Sequence, residues 1–356
     1  MLYIFTSFIT AFLLTYFILP SVLRLAHTRN LFDAPDERKL HQKSIPALGG
    51  IAIFAGIIFS VLFWMEIPDA ALRWLILSLI IIFFLGLKDD VVTISPLKKL
   101  TGEIVAAVIL IIYGNVRIYN LQGLFSFYEL PFILSVALTL LVFIVVVNAF
   151  NLIDGIDGLA GGIGIIASVA FGSFFLLTKQ VHLAILAFAT AGALLAFLRY
   201  NFSPAVIFMG DGGSLLVGFI LAILCVKFID LPVLPDAQRG LYLNTPPVAM
   251  AILIIPLTDT LRVFIIRILQ SRSPFSPDRN HIHHVLLNLG LNHRKTALTL
   301  YSVNIFIIWL ALSLNKHGVN LLFAAVVSAA YIFNLLIYFL KQRQKMSVKQ
   351  SEIFNA

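Results

Sequence analysis

The sequence predicts an all-α polytopic integral membrane protein, and two observations lead to this prediction. Of its 356 residues, 60% are hydrophobic and only 12% are charged, which is about half the roughly 25% of charged residues in a soluble domain. The apolar residues also form long runs separated by short polar segments. So few charges cannot cover a water-facing surface, whereas a bilayer requires about 20 apolar residues per spanning helix.

Eleven apolar runs are predicted to be transmembrane helices, and together they make one domain of residues 1–340. The runs are 2–25, 48–66, 70–87, 101–113, 131–150, 156–177, 181–198, 213–230, 248–268, 296–314 and 320–340. Most are apolar on every side, as helices surrounded by lipid are. The run at 101–113 is short and contains Glu103. A polar tail at 341–356 is expected to be frayed and cytoplasmic.

The positions of the basic residues predict the orientation of the chain. Eleven spans place the two termini on opposite sides of the membrane. The loops and helix ends of one side then contain 19 of the 25 Lys and Arg residues, and those of the other side contain 6. Because Lys and Arg accumulate in cytoplasmic loops, the N-terminus is predicted outside and the C-terminus in the cytoplasm. The net charge of +8 is thereby explained in part as an orientation signal, and no nucleic-acid partner is predicted.

Acidic residues lie at the predicted cytoplasmic ends of several apolar runs. Asp89 and Asp90 are adjacent at one such end. Neighbouring positions on a helix point about 100° apart, so the two carboxylates suit two different roles, one of them the binding of a divalent cation. Magnesium takes a few carboxylates together with substrate phosphates and water. Taken alone, the pair is also explained as a solvated, charged helix end.

Residues 148–162 (NAFNLIDGIDGLAGG) connect two long apolar runs with almost no loop. Asn151, Asp154 and Asp157 are spaced three residues apart, so consecutive side chains are neighbours on a helix or turn. The glycines allow the backbone to approach a ligand closely. Carboxylates at the edge of a membrane segment are costly unless they are paired or used, which favours a functional site over a solvated surface.

Two further segments contain candidate binding groups. Residues 208–214 (FMGDGGS) form a Gly-rich turn that leads into a helix, which fits a phosphate and offers Asp211 to a metal; a tight turn capped by Asp is the alternative. Residues 278–284 (DRNHIHH) contain three histidines. Zinc binding is one interpretation. We favour the binding of a diphosphate by these histidines with Arg279, because the segment has no cysteine.

One face of the predicted bundle thus combines carboxylates, Gly-rich turns and basic side chains. This composition suits a magnesium-bound nucleoside diphosphate, and the membrane body suits a lipid co-substrate, so metal-assisted phosphoryl transfer is the leading hypothesis. A transporter whose intramembrane acids carry ions is the alternative from a different class. Transporter sites typically lie near the membrane midplane, whereas these acids cluster at helix ends on one side.

Five segments, in this order, resemble the polyprenyl-phosphate N-acetylhexosamine-1-phosphate transferases, the glycosyltransferase 4 group with the MraY, WecA and TagO types. They are residues 41–50, 88–90, 151–162, 201–214 and 278–284. The His-Ile-His-His order after Asp-Arg-Asn is similar to the WecA type, whereas the MraY type has three consecutive histidines.

The resemblance implies transfer of N-acetylglucosamine 1-phosphate from UDP-N-acetylglucosamine to undecaprenyl phosphate, with release of UMP. It implies a Mg²⁺ cofactor, for which Mn²⁺ is a substitute, and a place in the bacterial inner membrane at the first membrane step of a cell-envelope polysaccharide. UDP-MurNAc-pentapeptide and other UDP-N-acetylhexosamines remain alternative donors. A family member that acts as a non-catalytic scaffold is a further alternative. A homodimer is also possible from the sequence. The predicted outer segments 115–130 and 231–247 would then be its contacts, and the alternative is that they lie at the membrane interface.

By motif position, the resemblance also implies roles for individual residues. The implied catalytic residues are Asp89, Asp90, Asp154 and Asp157, and the implied metal ligands are Asp211 and Asp89. The implied substrate-binding residues are Lys43, Lys99, Asn151, Asn201, Phe208, Arg279, His281, His283 and His284. Asp90 is expected to accept the proton of a lipid phosphate that attacks the β-phosphorus directly, with a two-step route through an aspartyl phosphate as the alternative.

Overall fold

The computed structural model describes residues 1–29, 45–66, 69–231, 244–271 and 281–354, and within these ranges it is helical apart from one β-hairpin. The helices are α1 (Leu2–Arg29), α2 (Gly49–Trp64), α3 (Asp69–Val91), α4 (Pro96–Ile112), α5 (Phe132–Leu152), α6 (Leu159–Leu177), α7 (Val181–Asn201), α8 (Gly210–Ile229), α9 (Thr245–Ile252), α10 (Ile254–Leu269), α11 (Ile282–Asn288), α12 (His293–Ser313) and α13 (Val319–Phe354). The hairpin strands are β1 (Asn120–Leu124) and β2 (Phe127–Glu129), and a 3₁₀ turn follows α12 at Asn315–His317.

The helical membrane class predicted from the sequence is confirmed, because each of the eleven apolar runs folds as helix. Eight helices among the described residues are long and apolar enough to cross a membrane: α1, α3, α5, α6, α7, α8, α12 and α13. The bent pair α9 and α10 adds a ninth span if it crosses as one unit. With 16 and 17 residues, α2 and α4 are shorter. The count of eleven spans and the orientation therefore stay predictions.

Helix α8 lies at the centre of the bundle. Between Asp211 and Lys227 it carries no charged residue, and its residues from Gly212 to Val226 are all buried, as expected for a helix with no polar face. Helices α2, α3, α5 and α6 pack around it. Gly218 makes the contact with α5 close, because a Cβ atom there would lie 3.0 Å from the Cα of Val147.

The run at 248–268 is bent, which corrects the prediction of one continuous span. Helices α9 and α10 meet at an angle of 78° around Leu253. Pro256 has no backbone N–H, so it cannot donate to the carbonyl of Ile252 as a helix would require. Asn304 of α12 compensates by donating its Nδ2 to the carbonyl oxygens of Ala251 (3.1 Å) and Ile252 (3.2 Å). Such compensation is what a break within the bilayer needs.

The outer segment 115–130 contains a β-hairpin, which the sequence did not predict. The strands pair antiparallel, with Asn120 opposite Glu129. Hydrogen bonds fasten the hairpin to the end of α8 and the start of α9, since Gln122 donates its Nε2 to the carbonyl of Leu231 (3.1 Å) and accepts the backbone N–H of Thr245 (3.0 Å). Most of the second outer segment, 231–247, lies outside the described residues.

The polar residues after 340 continue the last helix. Helix α13 begins at Val319 and ends at Phe354. The expectation of a frayed, cytoplasmic tail stays a prediction.

Glycines bring α2 and α3 into direct backbone contact with the start of α8. A Cβ atom on Gly50 would lie 2.3 Å from the backbone nitrogen of Gly213, and one on Gly86 would lie 2.4 Å from the carbonyl oxygen of Asp211. Gly50 also donates its N–H to the carbonyl of Met209 (2.9 Å). The beginning of α8 is therefore held in place by backbone atoms of two other helices.

We predict that Gly50→Ala destabilises the protein, because the added methyl group meets backbone atoms that cannot rotate away. Overpacking of this kind costs about 1–3 kcal/mol or more. The measurement is thermal unfolding in detergent, with Gly161→Ala as the matched control. Gly161 is also a helix glycine, but its nearest neighbour is a flexible Leu198 side chain at 3.3 Å. Equal melting temperatures for the two variants would contradict the packing described here.

Candidate active site

A polar cluster lies at the start of α8, where four helices meet. The Nζ of Lys99 on α4 is 2.8 Å from Asp211 Oδ2 and 3.1 Å from Asp89 Oδ2 on α3. Asn151, at the end of α5, donates its Nδ2 to Asp211 Oδ1 (2.6 Å) and to the Ser214 hydroxyl (2.8 Å). The structure thus brings together four residues, Asp89, Lys99, Asn151 and Asp211, that are far apart in the sequence and were each predicted to belong to the site.

Asp90 holds the first turn of α8. Its Oδ1 accepts the backbone N–H of Asp211 (2.6 Å), and its Oδ2 accepts that of Gly212 (2.9 Å). A carboxylate at this place satisfies two N–H groups that have no partner within the helix and interacts favourably with the helix dipole. Asp90 therefore caps α8 from another helix. Each carboxylate oxygen has a second lone pair, and the predicted role of Asp90 as proton acceptor would use one of these.

Asp154 lies in the short turn between α5 and α6 and faces the same cluster. Burial raises the pKa of its carboxyl group well above the usual range, and the negative charges of Asp211 and Asp90 raise that pKa further. The carboxyl group therefore holds a proton more strongly than an exposed aspartic acid does. A cation bound near Asp211 would favour its ionised form.

Asp157 and Asn201 brace the turn after Asp154 against the segment that precedes α8. Asp157 is buried and accepts the backbone N–H of Ala205 with Oδ2 (3.1 Å). Asn201 accepts the N–H of Gly158 (2.9 Å) and donates to the carbonyl of Ile207 (2.9 Å). These contacts are internal to the protein, and the predicted catalytic and substrate-binding roles of the two residues stay predictions.

Phe208 connects the cluster with the segment before α2. Its backbone N–H donates to the carbonyl of Pro46 (2.8 Å), and its carbonyl accepts the N–H of Gly49 (2.9 Å). Its predicted role in substrate binding is not tested by these contacts. Lys43 and Arg279, which were also predicted to bind substrate, lie outside the described residues.

The histidine segment packs against the turn that contains Asp154. The rings of His281 and His283 are stacked, with centroids 5.5 Å apart and an angle of 12°, and His284 lies 4.5 Å from His283. A Cβ atom on Gly155 would lie 2.7 Å from His283 Nε2, so only glycine leaves room for this ring. Burial lowers the pKa of His283 to about 3. His283 is therefore neutral at physiological pH and adds no positive charge to the site.

Asp259 is a buried carboxylate next to these histidines to which the sequence assigned no role. Its Oδ2 is 2.9 Å from His281 Nδ1, and its Oδ1 accepts the backbone N–H of Ile282 (2.7 Å). Because 22 residues separate it from His281, no local pattern reveals this pair. The available signal is an aspartate inside an apolar helix, which is costly unless it has a partner.

Two other contacts near the cluster were not predicted. Glu103 of α4 is buried and accepts a hydrogen bond from Asn148 Nδ2 of α5 (2.5 Å). Tyr301 of α12 donates its hydroxyl to the carbonyl oxygen of Gly158. Both contacts fix the helices that present Lys99 and the turn after Asp154.

The cluster supplies oxygen ligands for a metal ion but does not enclose one. Among the described residues, no group of three or more His, Cys, Asp or Glu side chains is arranged to hold a metal. Two carboxylates, those of Asp89 and Asp211, nevertheless contact one cationic atom, Lys99 Nζ. Mg²⁺ commonly binds one or two carboxylates and takes its other ligands from substrate phosphates and water, so these residues fit it.

We predict that Asp90→Asn lowers both stability and activity. The amide nitrogen of the Asn would face a backbone N–H of α8, so one of the two donors loses its partner, which costs about 1–3 kcal/mol. Thermal unfolding and activity should be measured on the same detergent-purified sample. A variant with an unchanged melting temperature but no activity would show that proton transfer, and not capping, is the main role of Asp90. A variant with an unchanged melting temperature and normal turnover would contradict both roles.

Comparison with known proteins identifies the family. Residues 72–229, which include α8 and the four residues Asp89, Lys99, Asn151 and Asp211, match the model of glycosyl transferase family 4. The chain is 31% identical over 304 residues to a probable undecaprenyl-phosphate N-acetylglucosaminyl 1-phosphate transferase of Bacillus subtilis (strain 168), covering 85% of this chain and 82% of the relative. It is 34% identical over 312 residues to the undecaprenyl-phosphate alpha-N-acetylglucosaminyl 1-phosphate transferase of Haemophilus influenzae, covering 85% and 84%. The protein of that name from Escherichia coli K12 is 33% identical over 298 residues, covering 82% and 78%. The chain therefore belongs to glycosyl transferase family 4, as its motifs predicted.

Proposed function

We propose that this protein transfers N-acetylglucosamine 1-phosphate from UDP-N-acetylglucosamine to undecaprenyl phosphate in the bacterial cytoplasmic membrane, with release of UMP. The observation that carries the proposal is the meeting of Asp89, Lys99, Asn151 and Asp211 at the end of membrane-spanning helices. A partly exposed charged cluster at the ends of apolar helices suits both a soluble nucleotide and the head group of a lipid. The names of the relatives support the same donor sugar and a polyprenyl phosphate acceptor.

Asp89 and Asp211 are the residues proposed to hold Mg²⁺, with Mn²⁺ as a substitute. The ammonium group of Lys99 lies between their carboxylates, within 3.1 Å of each. These two carboxylates therefore already bind a positively charged group. When bound, the metal would neutralise negative charge on the diphosphate. Lys99 would then be available to bind phosphate oxygens.

The remaining residues orient the reacting groups. In the proposed direct route, an oxygen of the lipid phosphate forms a bond to the β-phosphorus while the bond from that phosphorus to the oxygen of UMP breaks. Asn151 fixes the Asp211 carboxylate, and Asp90 fixes the first turn of α8 on which Asp211 lies. A lipid phosphate with a second pKa near 6 is partly a dianion at neutral pH, so only a fraction of the acceptor must lose a proton.

Asp90 is the proposed acceptor of that proton, and Asp154 is the competing candidate. The Asp90 oxygens already accept two backbone N–H groups. The raised pKa of Asp154 makes this carboxylate a stronger base than an ordinary one. An aspartyl phosphate intermediate is the alternative to the direct route, and a trapped phosphoenzyme would establish it.

The proposed function is tested by UMP release from purified protein supplied with undecaprenyl phosphate, Mg²⁺ and a panel of UDP-sugars. We expect UMP release with UDP-N-acetylglucosamine and its loss after chelation of the metal. Preference for UDP-MurNAc-pentapeptide or another N-acetylhexosamine would change the donor. A folded protein that releases no UMP with any donor would contradict the proposal and favour transport.

We predict that Lys99→Met lowers kcat by about 100-fold or more, the usual effect of removing one group that stabilises transition-state charge. Lys98→Met is the matched control, because Lys98 is adjacent but exposed. Without the ammonium group, the carboxylates of Asp89 and Asp211 repel each other. Mg²⁺ should therefore raise the melting temperature of Lys99→Met more than that of the unmodified protein. Equal kcat values for the two variants would contradict the role given to Lys99.

A further inference from the structure

Asp259 directs both of its carboxylate oxygens at the histidine segment. It lies on α10 and is only 2% exposed. Its Oδ1 accepts the backbone N–H of Ile282 at 2.7 Å, and its Oδ2 lies 2.9 Å from His281 Nδ1. A buried charge in an apolar helix is costly, and a cap on the seven-residue helix α11 would need only one of these oxygens.

This geometry determines which nitrogen of His281 carries hydrogen. An ionised carboxylate only accepts hydrogen bonds. The contact at 2.9 Å therefore requires a hydrogen on His281 Nδ1, whether the ring is neutral or protonated. Nε2 is then the ring atom that gains or loses a proton or accepts a hydrogen bond from another group.

The second histidine near Asp259 does not compete for this role. The Nδ1 of His283 lies 3.9 Å from Asp259 Oδ2, beyond hydrogen-bond distance. Burial lowers the pKa of His283 to about 3, which keeps this ring neutral. His283 packs on Gly155 beside Asp154 and stacks on His281, so it connects the Asp259–His281 pair to the candidate active site.

We propose that Asp259 is a positioning residue that holds His281 in the Nδ1–H tautomer, which leaves the lone pair of Nε2 to accept a hydrogen bond from a hydroxyl group of the UDP-sugar donor. The inference rests on the proposed function, because the family resemblance of its motif implies that His281 binds the donor. Neither residue lies in the region 72–229 that matches the family model. The contribution of Asp259 is made through His281 and not by contact with the substrate.

The test is Asp259→Asn, because this substitution preserves the shape of the side chain and reverses the tautomer. The Asn carbonyl can still accept the N–H of Ile282, which places the amide NH₂ group opposite His281 Nδ1. That nitrogen must then accept, and the hydrogen moves to Nε2. A catalytic histidine held in the wrong tautomer can lose up to about 10⁴-fold in kcat. We expect a fall of at least about 100-fold in UMP release, with little change in melting temperature.

Nitrogen-15 NMR of histidine-labelled protein provides the readout that a merely structural role would not change. The His281 signals are assigned by their absence from a His281→Gln sample. We expect a hydrogen on Nδ1 in the unmodified protein and on Nε2 in Asp259→Asn. Asp230→Asn is the matched control, because Asp230 also accepts a backbone N–H, from Tyr119 at 3.1 Å, but lies at the opposite end of α8. Its kcat should stay unchanged.

Each remaining outcome decides the proposal. Normal turnover by Asp259→Asn, or lost turnover with an unchanged His281 tautomer, would overturn it. If Asp259→Asn does not fold, the spectrum of the unmodified protein decides. A neutral His281 with its hydrogen on Nε2 would overturn the proposal, and one with its hydrogen on Nδ1 would support it. Failure of the unmodified protein to release UMP would refute the proposed function separately, because the tautomer is measured without substrate.

Discussion

The capping of α8 by Asp90 is the interaction on which the site depends. Helix α8 is the buried centre of the bundle, and its first turn carries Asp211. The N–H groups of a first helix turn have no acceptor within the helix, and here another helix supplies one for two of them. Asp90 does so with both oxygens, and the glycine contacts of α2 and α3 hold the same turn in place.

Charge balance explains why the neighbouring residues are ionisable. When both are ionised, the carboxylates of Asp89 and Asp211 repel each other, and the ammonium group of Lys99, which contacts both, offsets this repulsion. The flexible lysine side chain can move away from the two carboxylates when a divalent ion and a diphosphate bind. The same carboxylates that need Lys99 for stability are therefore suited to bind a metal substrate complex.

The sequence predicted most of the fold and the centre of the site, for identifiable physical reasons. Long apolar runs must be helical in lipid because their backbone groups have no other partners. Carboxylates at the ends of such runs are costly, which made Asp89 and Asp211 candidates. The capping by Asp90 and the pairing of Asp259 with His281 could not be predicted, because both join helices that approach one another only in the folded bundle. Pro256 indicated the break in the ninth run, but the continuous hydropathy of residues 248–268 led to the prediction of one span.

The most direct measurement is a cryo-EM structure of the protein with Mg²⁺ and UDP-N-acetylglucosamine. We expect density for the metal and the diphosphate in contact with the carboxylates of Asp89 and Asp211, with Lys99 moved toward the phosphate oxygens. We also expect Asp90 still to accept the N–H groups of Asp211 and Gly212. Donor density at the opposite end of α8, or an Asp90 side chain released from the helix, would contradict the account.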